Sequence, residues 1–190
     1  IDGYTAMIKN MLHGADVELG VDFLKDRELW FRRAPTIVYS GPLDRYFDYR
    51  HGPLKWREAH HELRISPGEA RLESPVVNIT DDSSPFSRIA DYSQIGQAVA
   101  QPRNQTVLGY ERLGPVHDNE QAYLEDRVLK PVRLFEEDER FKAYQNDARA
   151  EPHVFFGGRI ADYQLYDMDH VIAHAFKAAR VIMQGRKPQV

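Results

Sequence analysis

The sequence predicts an α+β fold, mainly an antiparallel sheet with flanking helices. Strand-like apolar stretches gather in the middle of the chain, at Leu54 to Ile65, Pro75 to Thr80 and Thr106 to Glu111. Helical periodicity is found towards the two ends, at Tyr4 to His13 and from Glu136 onward. A series of strands with helices at its ends is the pattern of an α+β domain.

Taken in order, Met7, Ile8, Met11 and Leu12 fall on one face of the first helix, and Gly14 supplies a stop. Val17, Leu19, Val21 and Phe23 alternate, which predicts a half-buried strand over Asp16 to Phe23. Lys25 to Arg33 is charged and reads as a surface turn of helix. Thr36 to Tyr39 is a short apolar strand ended by Ser40-Gly41-Pro42, a strong turn signal, and an aromatic-rich segment runs from Asp44 to Arg50. Ser66-Pro67-Gly68 predicts a hairpin-like reversal between the strands on either side. Glu136 to Ala148 predicts a helix with Phe141 and Tyr144 inward. The last helix, from about Asp169 to Met183, sets Ile172, Phe176, Ala179 and Met183 on one stripe.

The chain of 190 residues suits one domain, or a domain plus part of another. With 25 basic against 29 acidic residues the net charge is −4, so no sequence-wide basic field points to nucleic acid. The absence of cysteine excludes disulfides, thiolate metal sites and a cysteine nucleophile. No apolar run approaches membrane-spanning length and no signal peptide is visible, so a cytoplasmic location is expected. The chain begins at Ile1 and enters a helical pattern almost at once, which suggests a piece of a longer protein.

The segment VFFGGRIADYQLYDMDHVIAHA, Val154 to Ala175, carries the most chemistry. It reads as a strand, a double-glycine turn with Arg159, a polar spacer, and a helix opening at Asp167. Glycines allow close backbone approach, and a helix N-terminus favours anionic or electron-rich ligand edges. Arg57, Arg88, Arg159 and Lys130 are the candidate cations, since an arginine fork matches diphosphate oxygens. His170 and His174 stand four apart, but Val-Ile-Ala lies between them without a glutamate, and no metal site is expected. His60 and His61 project to opposite strand faces. The block Glu136 to Glu139 is expected to be a solvated face at a helix start. There is no Walker motif, no GxGxxG and no GxSxG elbow.

Five segments in order resemble the C-terminal half of the UDP-galactopyranose mutase family: DGYTAMIKNML, LGVDFL, IVYSGPLDRYFDYRHGPLKWRE, VVNITDDSSPFSRI and VFFGGRIADYQLYDMDHVIAHA. The SGPLDRYFDYR and GGRxxxYxxYDM strings are the specific ones. The resemblance implies a flavoenzyme, an isomerase that uses reduced FAD to interconvert pyranose and furanose forms of a nucleotide sugar for cell-surface polysaccharide biosynthesis. The flavin acts as nucleophile and the protein orients and clamps, so no protein nucleophile is implied. It further implies a sheet-rich substrate domain over about residues 45–130, with 1–44 and 150–185 completing a flavin-binding domain.

By the same resemblance, Ser40, Gly41, Gly158, Arg159, Asp167 and Met168 face the cofactor, and Arg57, Arg88, Lys130 and Arg159 face the substrate. Pro42 completes the turn near the cofactor. The chain departs from the family pattern in several places. The dinucleotide-binding glycine motif is absent, and a family tyrosine stands as Leu165. A second tyrosine position holds Lys130, and EHKHF reads Ala90-Asp91-Tyr92-Ser93-Gln94. Losing a tyrosine removes a phosphate donor, while a lysine supplies charge. A changed sugar nucleotide, no turnover from this chain alone, and a homo-oligomer or a missing N-terminal half are therefore expected. The alternative is a non-catalytic module that binds a nucleotide sugar or a protein.

Overall fold

The computed structural model describes residues 3–68, 72–95, 105–118 and 128–185. It divides into two compact units, Ile1–Lys25 with His61–Arg112, and Asp26–His60 with Leu113–Val190. The antiparallel five-stranded sheet has the strand order β3-β4-β5-β2-β6. Its strands are β2 (Lys55–Pro67), β3 (Val76–Asn78), β4 (Arg88–Asp91), β5 (Gln105–Asp118) and β6 (Val128–Pro131). Strands β2 and β5 are long enough for each unit to hold one end of both. The α+β class read from the sequence is the one observed.

In the first unit, α1 (Tyr4–Met11) is followed by a 3-10 turn at Phe23–Lys25, with no strand between them. The alternation over Asp16 to Phe23 does not produce the expected strand. Val17, Leu19 and Val21 are all exposed, so the period-2 pattern has neither a covered face nor a neighbouring strand to fix it. Antiparallel β3 and β4 pair Val76 with Ala90 and Asn78 with Arg88, and β4 pairs onward with β5, Asp91 opposite Leu108. Because β5 and β4 lie between β2 and β3, the Ser66-Pro67-Gly68 turn does not close a hairpin between its flanking strands. Asp91 ends β4 as a buried carboxylate. Burial opposes its charge, but donors from Gln94, Ser93 and the Leu72 amide hold its carboxyl below the usual range.

The second unit opens with α2 (Arg27–Arg33), whose first turn is capped by Asp26 accepting from the Leu29 amide at 3.1 Å. Next come β1 (Ile37–Tyr39), the short α3 (Leu43–Tyr46), α4 (Phe135–Ala150), β7 (Val154–Phe156) and α5 (Met168–Met183). The core is aromatic. Tyr46 meets Tyr39 at 5.2 Å, Phe156 at 4.8 Å and Phe47 at 4.9 Å between ring centroids, and Phe47 stacks on Tyr144 of α4. Trp56 of β2 and Phe141 of α4 both pack on Tyr163.

Buried polar groups fasten this core. Asp44 accepts from the amides of Leu54 and Arg45, both at 2.9 Å. Tyr144 donates its hydroxyl to the Gly52 carbonyl and accepts from the His51 amide. Glu137, fully buried, receives Arg140 through both carboxylate oxygens and the Lys55 amide. The acidic block at the start of α4 is therefore not wholly the solvated face expected from sequence. One of its four carboxylates faces inward because an arginine one turn later on the same helix pairs with it.

Candidate functional site

Strands β1 and β7 run parallel, with Ile37 opposite Val154, Val38 opposite Phe155 and Tyr39 opposite Phe156. Parallel pairing delivers both C-terminal ends to the same edge, so the Ser40-Gly41-Pro42 turn and the Gly157-Gly158-Arg159 turn leave the sheet side by side. The Gly157 amide donates to the Tyr39 carbonyl at 3.3 Å, and a side chain placed on Gly158 would sit 3.4 Å from Ser40 Cβ. In parallel α/β sheets, ligands are bound outside the carboxyl ends of the strands, and these two turns occupy that position.

The glycines are required by geometry. Gly158 has φ +105°, a conformation that residues with a side chain rarely adopt. At Gly41 a Cβ would lie 2.5 Å from the Tyr39 hydroxyl, because the Tyr39 ring folds back towards the Pro42 carbonyl. At Gly157, by contrast, nothing lies within 4 Å of where a side chain would begin. The result is bare backbone with open space beside it.

After the second turn the chain winds tightly. The Asp162 amide donates to the Gly158 carbonyl at 2.8 Å and the Gln164 amide to the Arg159 carbonyl at 3.2 Å. Tyr163 takes a left-handed conformation (φ 49°), and its hydroxyl bridges the carbonyls of Lys55 and Val132. Burial pushes that phenol's ionisation strongly upward. Arg159 anchors its guanidinium by donating to the Tyr166 carbonyl at 3.2 Å. No carboxylate among the described residues pairs with it. Asp167 then caps α5 without using its side chain, and Met168 begins the helix, exposed.

The structure thus brings Ser40, Gly41, Gly158 and Arg159 together, with Asp167 and Met168 following on the loop that Arg159 holds. Arg57 and Lys130 are directly opposed across β2 and β6. Arg88 belongs to the first unit, where its Nε donates to Asn78 Oδ1 at 2.9 Å. Leu165 is exposed.

Sequence reasoning missed Asp162 and considered His174 only as half of a metal pair that it set aside. Asp162 Oδ2 accepts from the Gly158 amide at 3.3 Å, and His174 Nδ1 lies 4.0 Å from the same oxygen. Burial raises the Asp162 carboxyl's ionisation, against the pull of the Gly158 amide and His174. No local signal marked Asp162, because its bond to the Gly158 amide exists only once the loop has wound back on itself. Among the described residues no group of three or more histidine, aspartate or glutamate side chains could hold a metal ion. No helix among them is long and apolar enough to cross a membrane.

Paired glycine turns at the ends of parallel strands, one leading through an anchored arginine to a helix start, form the candidate site of this α+β protein. A family model described as UDP-galactopyranose mutase matches residues 1–165, and the chain belongs to that family. It is 25% identical over 191 residues to dTDP-fucopyranose mutase of Escherichia coli, a match covering 98% of this chain and 48% of that protein. It is 26% identical over 191 residues to UDP-galactopyranose mutase of Mycoplasma pneumoniae, covering 96% of this chain and 47% of the relative. The corresponding protein of Mycoplasma genitalium is 27% identical over 191 residues, 95% and 46%. The chain therefore spans about half the length of the curated relatives it matches.

Proposed function

We propose that this chain supplies the flavin-facing turns and part of the substrate clamp of a flavin-dependent nucleotide-sugar mutase. The reaction is the interconversion of pyranose and furanose rings on a nucleoside diphosphate sugar. The observation that carries this reading is the parallel register of β1 and β7, which sets Ser40-Gly41 beside Gly158-Arg159.

The residues present suit a flavin. The open space at Gly157 and the bare backbone of both turns admit a flat ring system, and the α5 N-terminus offers partial positive charge to an electron-rich edge. Ser40, Gly41, Gly158, Arg159, Asp167 and Met168 would hold it. Reduced flavin, when bound, supplies the nucleophilic chemistry at the anomeric carbon.

The chain's own residues orient and neutralise. Arg159 has its guanidinium tethered on one side to the Tyr166 carbonyl, which leaves its other donors for a diphosphate or sugar oxygen. Arg57 and Lys130 hold opposed positions across β2 and β6, so a diphosphate placed over that pair would meet two cationic side chains. Arg88 is a proposed substrate contact on the family resemblance alone. The exposed Leu165 has no hydroxyl to give to phosphate, so more of the anion's charge falls to Arg57 and Lys130. The substrate class is a UDP- or dTDP-linked hexopyranose. Turnover is proposed to need the half of the family's length that this chain does not span.

The test is the visible absorption spectrum after incubation with FAD and desalting, run beside Arg159→Ala. Flavin retained by the parent and reduced in the variant supports the reading. Colourless protein in both, with UDP still bound in a calorimeter, replaces it with a nucleotide-binding module derived from the family.

A further inference from the structure

Five groups from two stretches of chain converge beside the glycine turn. The Asp162 carboxylate closes a two-bond ring on Gly158, its Oδ2 accepting the Gly158 amide while its own amide donates to the Gly158 carbonyl. His174 approaches the same oxygen from the second turn of α5. Tyr166 packs edge-on against His174, with ring centroids 4.8 Å apart, and its carbonyl receives Arg159. A single chain of contacts therefore runs Gly158, Asp162, His174, Tyr166, Arg159.

We propose that Asp162 is a positioning residue that fixes the Gly157-Gly158-Arg159 turn, and that His174 on α5 governs how firmly it does so. Gly158 is the position that needs fixing. Its backbone has the conformational freedom of glycine, and a side chain added at Gly157 beside it would meet nothing within 4 Å, so no side-chain packing restrains the turn there. An ionised carboxylate accepts an amide hydrogen bond more strongly than a neutral acid, so the charge on Asp162 sets the strength of the lock. His174, when protonated, favours that charge.

The other groups around Asp162 are few. Tyr166 shares the loop, and its phenol is pushed upward by burial first and by the Asp162 charge second, with Arg133 opposing. Arg133, from the segment before α4, donates to the Tyr163 carbonyl, and His170 lies against Tyr166 with Asp169 at 3.3 Å. Tyr166 feels the Asp162 charge but does not hydrogen-bond it, and His174 is the charged side chain that lies at 4.0 Å from the Asp162 carboxylate and tunes it. The turn should loosen as the pH falls through the raised ionisation of Asp162. The significance of this lock for a cofactor rests on the flavin reading, but its existence does not.

The experiment is a pH series of amide spectra on the full chain, following the Gly158 amide. It should titrate with a midpoint above the ordinary carboxylate range. Asp162→Asn keeps an acceptor but removes the titration, and His174→Gln, a change on a half-exposed helix face, moves the midpoint upward. A Gly158 amide that does not titrate, or that titrates equally in Asp162→Asn, overturns the proposal, and an unmoved midpoint in His174→Gln removes His174 from it. Flavin retention measured on the same samples separates the two readings. Titration at Gly158 without flavin binding at any pH defeats the cofactor assignment and leaves the lock standing.

Discussion

Helices α4 and α5 have the same length, 16 residues, and belong to the same compact unit, yet they are opposite in how composition relates to burial. α4 reads FEEDERFKAYQNDARA and is half charged, but Glu137, Phe141, Tyr144 and Ala148 are buried along it. α5 reads MDHVIAHAFKAARVIM, far more apolar, and not one of its residues is buried. A helix is therefore not drawn inward by its apolar content alone. Glu137, Phe141 and Tyr144 of α4 have specific counterparts in β2, in the loop after β7 and in the aromatic segment after α3. α5 touches its unit through its first turns, where Tyr166, His170 and His174 meet.

The strongest way to break this comparison is to remove a partner from α4. Phe141→Ala deletes a ring that is 3% exposed and packs 5.4 Å from Tyr163, and should cost about 3–5 kcal/mol in denaturant unfolding. A cost near zero would mean that α4 is no better anchored than α5. Arg140→Ala comes next. It leaves the buried Glu137 carboxylate with the Lys55 amide and, at 3.8 Å, Lys55 Nζ, for roughly 2–3 kcal/mol given that Arg140 is itself partly exposed. Glu137→Gln in the Arg140→Ala background should recover part of that loss, since the uncompensated charge is then gone.

A subtler effect is carried by Asp44, which α3 packs under α4. Burial raises its carboxyl above the ordinary 3.8, against the pull of the Leu54 and Arg45 amides, and the Glu137 charge adds to the rise. A raised folded-state value means that the protonated form is favoured by folding. The contribution is fully present below 3.8 and is lost as pH rises through the folded value. Stability from this site should thus increase as the pH is lowered from neutral into the mildly acidic range. Asp44→Asn should flatten that part of the profile, measured as denaturation midpoint against pH. A profile unchanged by the substitution would show that the carboxyl is not desolvated by α4.

The sequence made the short apolar strands legible, β1 and β7, because their turn residues bracket them closely, and it made α4 legible through Phe141 and Tyr144. It misled where a pattern had no partner. Val17, Leu19 and Val21 alternate as a strand does, yet no covered face selects that conformation. It was also silent on register. Nothing local says that β1 pairs parallel with a segment more than a hundred residues away, although that pairing is what sets Ser40 beside Gly158. Arg159 could be singled out because a double glycine precedes it. Asp162 could not, because its role is a hydrogen bond back to Gly158 that only the wound loop creates. Glu137 was hidden for the same reason, since a block of four acids looks solvated until Arg140 folds over one of them.

The smallest expected effect sharpens the comparison most. Phe176 is 63% exposed and Met183 is 86% exposed on the single stripe that the periodicity of α5 picks out. Serine and phenylalanine have nearly equal helix propensities, so Phe176→Ser reports burial with little interference from the backbone. In dilute solution the change should leave stability within about 0.5 kcal/mol, against the several expected at Phe141. A loss that grows with protein concentration would instead show that copies of the chain cover this face, as large apolar patches commonly require. The two helices would then differ only in where their partners come from, α4 from its own unit and α5 from outside the chain.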